Sequence, residues 1–240
     1  MTKAQIDKIV RVDKLLGKKY GPRRQIRRSD PLTELILTIL SQNTNDTNRD
    51  RAFHALKDNY PDWDSLLDAP VRSIAAKIRV AGLADIRARR IKKVLQSIAK
   101  DHRALDLNFL EDWSDRQIKD YLLDLDGVGP KTAACVLAFA LGRNVMPVDT
   151  HVLRVSARLG LIPPKMTADA AHEFYLGARD TLSLYQLHLN LIAHGREVCQ
   201  ARRPRCPDCL LKATCDFFRN KSGPNKIVSG HKTATSKALI

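Results

Sequence analysis

Acidic residues and aromatics are scarce in this sequence, and no apolar run is long. Asp and Glu total 26 against 41 Lys and Arg, so the 240-residue chain carries a formal charge of +15 and a pI near 9.8. That imbalance is the electrostatic footprint of a phosphate binder, and it predicts nucleic-acid affinity that falls steeply with salt. Phe, Trp and Tyr make up only 5% of residues, too few for a platform on which single-stranded bases stack. Duplex DNA is therefore the expected partner. The longest apolar run, 133–141, is half the length of about 18 residues that a membrane span needs. The first residues, Met-Thr-Lys-Ala-Gln-Ile-Asp, hold no signal-peptide core. The expectation is a monomeric, cytoplasmic and nucleoid-associated protein.

Cysteine is limited to five residues, and four of them crowd into 199–215. Cys135 falls in an apolar helical stretch over 132–139 and reads as a buried core thiol. Cys199, Cys206, Cys209 and Cys215, spaced Cys-x6-Cys-x2-Cys-x5-Cys, suit metal ligation better than a disulfide framework. Zinc usually shows two close pairs, and only Cys206 with Cys209 makes one; four thiolates equally hold an iron-sulfur cluster. Spacing leaves the two open. Arg202, Arg203, Arg205 and Lys212 are interleaved with these cysteines and are expected to face the phosphate backbone.

What the sequence does offer most clearly is Leu-Asp-Gly-Val-Gly-Pro-Lys-Thr-Ala over 125–133. Gly127 and Gly129 allow a tight reversal with open backbone amides, and Pro130 suits a first helical position. Amides at such a helix start seat a phosphate. Ser114 to Gln117 reads as a capping box opening the preceding helix. A loop between two helices would look similar, but Lys131 adds chemistry: burial and the helix start favour the neutral amine, which can attack a sugar carbon. A simple counter-charge to phosphate is the other reading of that lysine. Eighteen residues on, Asp149 opens Val-Asp-Thr-His. It reads both as a helix N-cap, worth about 1 kcal/mol, and as a carboxylate facing a developing positive charge.

These elements resemble the endonuclease III-type DNA glycosylases of the helix-hairpin-helix superfamily. The likeness covers roughly 30–218 and includes the hairpin motif, Val-Asp-Thr-His, the four-cysteine loop and Leu-Ser-Gln-Asn-Thr over 40–44. It implies Lys131 as a Schiff-base nucleophile, Asp149 as its catalytic carboxylate, and a 4Fe-4S cluster on Cys199, Cys206, Cys209 and Cys215. It also implies that Gln42 enters the space left by a flipped base and that Leu83 wedges against the opposite strand. On the residues alone Gln42 only ends a helix and Leu83 belongs to the core. Relatives that do not cut the strand lack lysine at the hairpin position, so Lys131 argues for a bifunctional enzyme. Adenine-specific relatives carry a glutamate where Thr38 stands here, which argues against adenine removal. The resemblance implies oxidised pyrimidines in duplex DNA as substrates and nicking 3′ of the abasic site. A different target base, or a non-catalytic DNA-binding module, are the competing readings.

Helical periodicity runs through the chain: after Asp30-Pro31, then over 51–56, 71–78, 86–98, 132–141, 151–159 and 168–179. The fold class is all-α. By resemblance a six-helix barrel domain with the hairpin spans 30–145, and 1–29 joins 146–219 in a helical iron-sulfur domain, with the site in the cleft between them. Residues 220–240 read as a disordered basic tail.

Overall fold

The computed structural model describes residues 1–27, 29–102 and 104–222, without the side chains of 221 and 222. No strand occurs among the described residues, so the all-α expectation holds. Helix α1 (Lys3–Tyr20) starts on a capping box between Thr2 and Gln5. Helix α2 (Pro31–Ser41) has Asp30 as its cap and Pro31 in the first turn, as the Asp-Pro pair predicts. Helices α3 (Asp46–Asn59), α4 (Trp63–Asp68), α5 (Val71–Lys77) and α6 (Ala84–Asp101) follow. Ser114 and Gln117 form the expected capping box of α7 (Asp115–Asp124).

Helix α8 (Pro130–Cys135) continues as a π-helical turn, Val136–Ala140, in which the Leu141 amide donates to the Val136 carbonyl at 3.1 Å. Then come α9 (Thr150–Leu159), α10 (Ala168–Leu176), α11 (Leu184–Glu197) and α12 (Asp216–Ser222). Two departures from the sequence reading stand out. Helix α11 was not expected, and α12 carries the first three residues of the expected 220–240 tail, the remainder of which lies outside the described residues.

The buried apolar side chains form two cores. One draws on α2 to α8 and the π-helical turn, from Leu32 to Val145, with Tyr185 added from α11. The other joins Ile9, Val12 and Leu16 of α1 to Met146, Val148 and the faces of α9, α10 and α11, reaching Leu211 and Cys215. The hairpin turn belongs to the first core through Val128, whereas Val148, next to Asp149, belongs to the second. The segment 141–149 thus carries the chain from one core to the other.

Candidate active site

The hairpin turn follows α7, and the Val128 amide closes it on the Leu125 carbonyl at 3.0 Å. Gly127 has φ +76°, a conformation glycine adopts without strain, and a Cβ there would overlap the side chain of Arg90. Gly129 differs from expectation. Its φ is −102°, open to any residue, and a Cβ would meet nothing within 4 Å. Its use is to cap α8 without a side chain in the open space before the helix. Beside the turn, Asp126 pairs with Lys93 of α6 at 2.7 Å, and this exposed ion pair holds the carboxyl below its usual range.

Lys131 stands in the first turn of α8, half-buried, where backbone amides have no partner inside the helix. One turn later the Cys135 thiol is buried, as expected. Burial pushes that thiol up, while the neighbouring Lys131 amine and the Thr38 hydroxyl oppose the shift and Glu34 adds to it. Glu34 and Thr38, both on α2, are buried. Pro130 and Ala134 of α8, with Leu137 of the π-helical turn, line a separate cavity against α7 and α10. Asp149 caps α9: its Oδ1 accepts from the Val152 amide at 2.7 Å, the cap the sequence predicts.

Gln42 and Leu83 sit on two neighbouring loops. Gln42 ends α2, and Asn43 after it has φ +54°. Leu83, 54% exposed, is not a core residue; it caps α6 in the left-handed conformation at φ +49°, a placement that costs a leucine about 1 kcal/mol. Ile86, one turn on, is exposed as well. Both loops are tied to α6 by arginines. Arg87 is almost fully buried; its Nη1 donates to the Ala81 carbonyl and, at 2.6 Å, to the Gly82 carbonyl, and its Nη2 donates to the Gln42 carbonyl. Burial, with Arg90 nearby, lowers the Arg87 pKa. Arg90 Nη1 donates to Gln42 Oε1 at 2.6 Å.

The four cysteines line one small pocket, walled by Leu159, Val198, Phe217 and Phe218. Among the described residues no group of three or more His, Cys, Asp or Glu is placed to hold a single metal ion. Burial pushes the Cys209 and Cys215 thiols up, and the other cysteines add to the rise. Helix α9 braces this loop. Arg154 Nε donates to the Cys199 carbonyl at 3.1 Å, while Arg158 donates to the Gln200 and Ala201 carbonyls at 2.7 and 2.8 Å and to Cys199 Sγ at 3.4 Å. Arg202, Arg203, Arg205 and Lys212 are all exposed. Two of them also bond within the loop region, Arg205 to the Glu197 carbonyl at 2.9 Å and Lys212 to the Pro207 carbonyl at 3.0 Å.

Residues 36–176, which include the hairpin and Val-Asp-Thr-His, match the model of the HhH-GPD superfamily of base excision DNA repair proteins. The chain belongs to this superfamily. Its type within the family is that of endonuclease III. It is 34% identical over 186 residues to endonuclease III of Sulfolobus acidocaldarius, covering 77% of this chain and 81% of that protein. A candidate DNA glycosylase of Arabidopsis thaliana is 43% identical over 167 residues, and the match spans 69% of this chain and 56% of the plant protein. A solved endonuclease III–DNA covalent intermediate superposes with a TM-score of 0.76 at 26% identity, covering 92% of this chain and 99% of that one.

As a DNA glycosylase of the endonuclease III type, the chain has more site-building residues than the sequence reading found. Arg87 and Arg90 hold the loops of Gln42 and Leu83. Arg154 and Arg158 link the helix capped by Asp149 to the cysteine loop. The only sequence signal for the second pair is their spacing of four residues along α9, which puts them on one helix face.

Proposed function

We propose that this glycosylase is bifunctional: it removes oxidised pyrimidines, such as thymine glycol, from duplex DNA and cuts 3′ of the resulting abasic site. The observation that carries this reading is Lys131 in the first turn of α8, immediately after the open hairpin turn. A phosphate held by the turn brings a nucleotide sugar to the amine. The neutral Lys131 amine attacks C1′, the bond from C1′ to the base breaks, and the departing base takes the electron pair and a proton. Loss of the ring oxygen's bond to C1′ leaves a Schiff base, which acidifies the C2′ hydrogen. Removal of that proton expels the 3′ phosphate by β-elimination. Asp149, at the head of α9, stabilises the cationic sugar and serves the proton transfers. The endonuclease III neighbour caught in a covalent intermediate with DNA supports a covalent route.

Gln42 and the exposed Leu83 fill the duplex where the damaged nucleotide has left, and Gly127, Gly129, Arg202, Arg203, Arg205 and Lys212 contribute phosphate contacts. The division of the buried side chains into two cores supports the two-domain reading, with Lys131 presented by the first domain and Asp149 by the second. Cys199, Cys206, Cys209 and Cys215 hold a 4Fe-4S cluster. Four cysteines lining one pocket, with an N–H donor on Cys199 Sγ, are the donor set that supports this reading. When bound, such a cluster staples the loop.

The test is single-turnover excision and nicking on duplexes carrying one thymine glycol. The native chain excises and nicks; Lys131→Gln loses nicking, and Asp149→Asn loses about two orders of magnitude in rate while its helix cap persists. Excision of undamaged or purine-damaged duplex in preference to thymine glycol would overturn the substrate assignment.

A further inference from the structure

We propose that Arg90 is a positioning residue that makes Gln42 and the hairpin turn move as one unit and sets which end of the Gln42 amide meets the DNA. The inference rests on the duplex-DNA reading above. A single side chain makes both contacts: Arg90 Nη1 donates to Gln42 Oε1 at 2.6 Å, and its Cδ, Nε and Cζ occupy the space that a Cβ on Gly127 would need. Gly127 thus has two reasons to be glycine, its φ of +76° and the arginine laid across it. Lys93, one turn further along α6, pairs with Asp126 at 2.7 Å, so the same helix holds the hairpin at two adjacent residues.

The orientation of Gln42 follows from hydrogen-bond chemistry. Arginine donates and never accepts, so the amide oxygen of Gln42 must face Arg90. Its NH2 is left as the end offered to the duplex. Arg87, three residues earlier, fixes the Gln42 carbonyl and the carbonyls of Ala81 and Gly82 ahead of Leu83. Backbone and side chain of the base-replacing loop are therefore held by successive arginines on one face of α6. A donor-only Gln42 favours opposite-strand bases that present an acceptor to the vacated space. Lysine cannot reproduce this, since it is a single point donor without the planar fork that reaches Gln42 while lying across Gly127.

The experiment is equilibrium binding of the full chain to a duplex with one tetrahydrofuran abasic analogue and to the same duplex undamaged, at fixed salt. It is repeated with each of the four bases opposite the analogue. Variants are Arg90→Lys, which keeps the charge, Gln42→Ala, and the two together, with melting midpoints confirming that each is folded. Each single variant weakens abasic-duplex binding about tenfold, the scale of one charge-assisted hydrogen bond. Undamaged-duplex binding changes less than twofold, the opposite-base ranking flattens, and the double variant is no weaker than Gln42→Ala alone. Multiplying effects in the double variant, or equal losses on both duplexes, overturn the proposal and make Arg90 an independent phosphate contact. Native preference for the abasic duplex that survives Arg90→Lys overturns this inference alone. No preference in the native chain overturns the glycosylase reading and the inference with it.

Discussion

Two loop regions of this molecule are braced by the same device, arginines from one helix donating to carbonyl oxygens of a neighbouring loop, and they differ in what completes the brace. Around Gln42 and Leu83, both terminal nitrogens of Arg87 donate to the carbonyls of Ala81, Gly82 and Gln42, its buried Nε has no partner, and Arg90 donates to Gln42 Oε1. Around the cysteines, Arg154 and Arg158 of α9 hold the carbonyls of Cys199, Gln200 and Ala201, while the thiols themselves line a common pocket, where Cys209 Sγ meets His194 Nε2 at 3.5 Å and Cys215 Sγ donates to the Arg158 carbonyl at 3.3 Å. The first brace is made of hydrogen bonds within the protein. On the reading proposed above, a 4Fe-4S cluster bound by the four sulfurs completes the second. The difference teaches that, on the proposed function, the Gln42 and Leu83 loops and the cysteine loop respond to different insults: one to loss of a hydrogen bond, the other to loss of iron.

The largest effect is expected on the cysteine side. Cys206→Ser, or bleaching with an iron chelator and oxidant, removes the yellow-brown absorption near about 400 nm expected of a cluster. It also destabilises the second core by several kcal/mol, because metal binding and folding are coupled. Native hydrogen exchange reads this directly: amides of α9 and α11 lose protection while those of α2 and α6 keep theirs. Equal loss in both cores would break the comparison. Next comes Arg87→Ala, which leaves the carbonyls of Gln42, Ala81 and Gly82 without their buried donor. It costs about 3 kcal/mol in urea unfolding, or roughly 6–12 °C in melting midpoint for a chain of this size, with the cluster absorption unchanged.

A smaller effect concerns α1 in the second core. Asp13 is buried, its Oδ1 has no partner, and its Oδ2 accepts from Gln186 Nε2 at 2.8 Å. Burial raises its pKa and the Gln186 bond only partly opposes this. A carboxyl raised in the folded state gives its stabilising contribution in full below its unfolded pKa and loses it as pH rises through the folded value. Asp13→Asn is therefore more stable than the native chain at pH 8, and the advantage disappears on titration to acid; thermal melts across that range show it. The smallest effect comes from Arg202→Ala or Arg203→Ala. Each leaves folding and cluster content intact and reduces the salt slope of duplex binding by about one.

How far the sequence announced this structure depends on whether a feature is local. Caps and turns were legible: Asp30, Ser114 and Asp149 all accept the amide hydrogen bonds their positions suggest. The hairpin glycine Gly127 was legible because a positive φ is a local requirement, while Gly129 turned out to need no special φ. Helix α11 was hidden because Leu-His-Leu-Asn-Leu over 187–191 alternates with the period of a strand, and its polar members are buried all the same. His188 satisfies itself on the Pro147 carbonyl at 2.7 Å, a partner far away in sequence. Arg87 and Arg90 were hidden for the converse reason. Charges in an amphipathic helix read as its solvated face, and nothing local reveals that loops ending in carbonyls will close over them. Ile86, at the start of the periodic stretch 86–98, is half-exposed.

The central claim is that Lys131 forms a covalent bond with the sugar. Its most direct test is borohydride reduction of the native chain reacting with a duplex bearing one thymine glycol, followed by peptide mass mapping of the protein–DNA adduct. The account predicts one adduct, on the peptide containing Lys131, absent from Lys131→Ala. An adduct on any other residue, or excision with no adduct on either the damaged-base or a preformed abasic duplex, would contradict it.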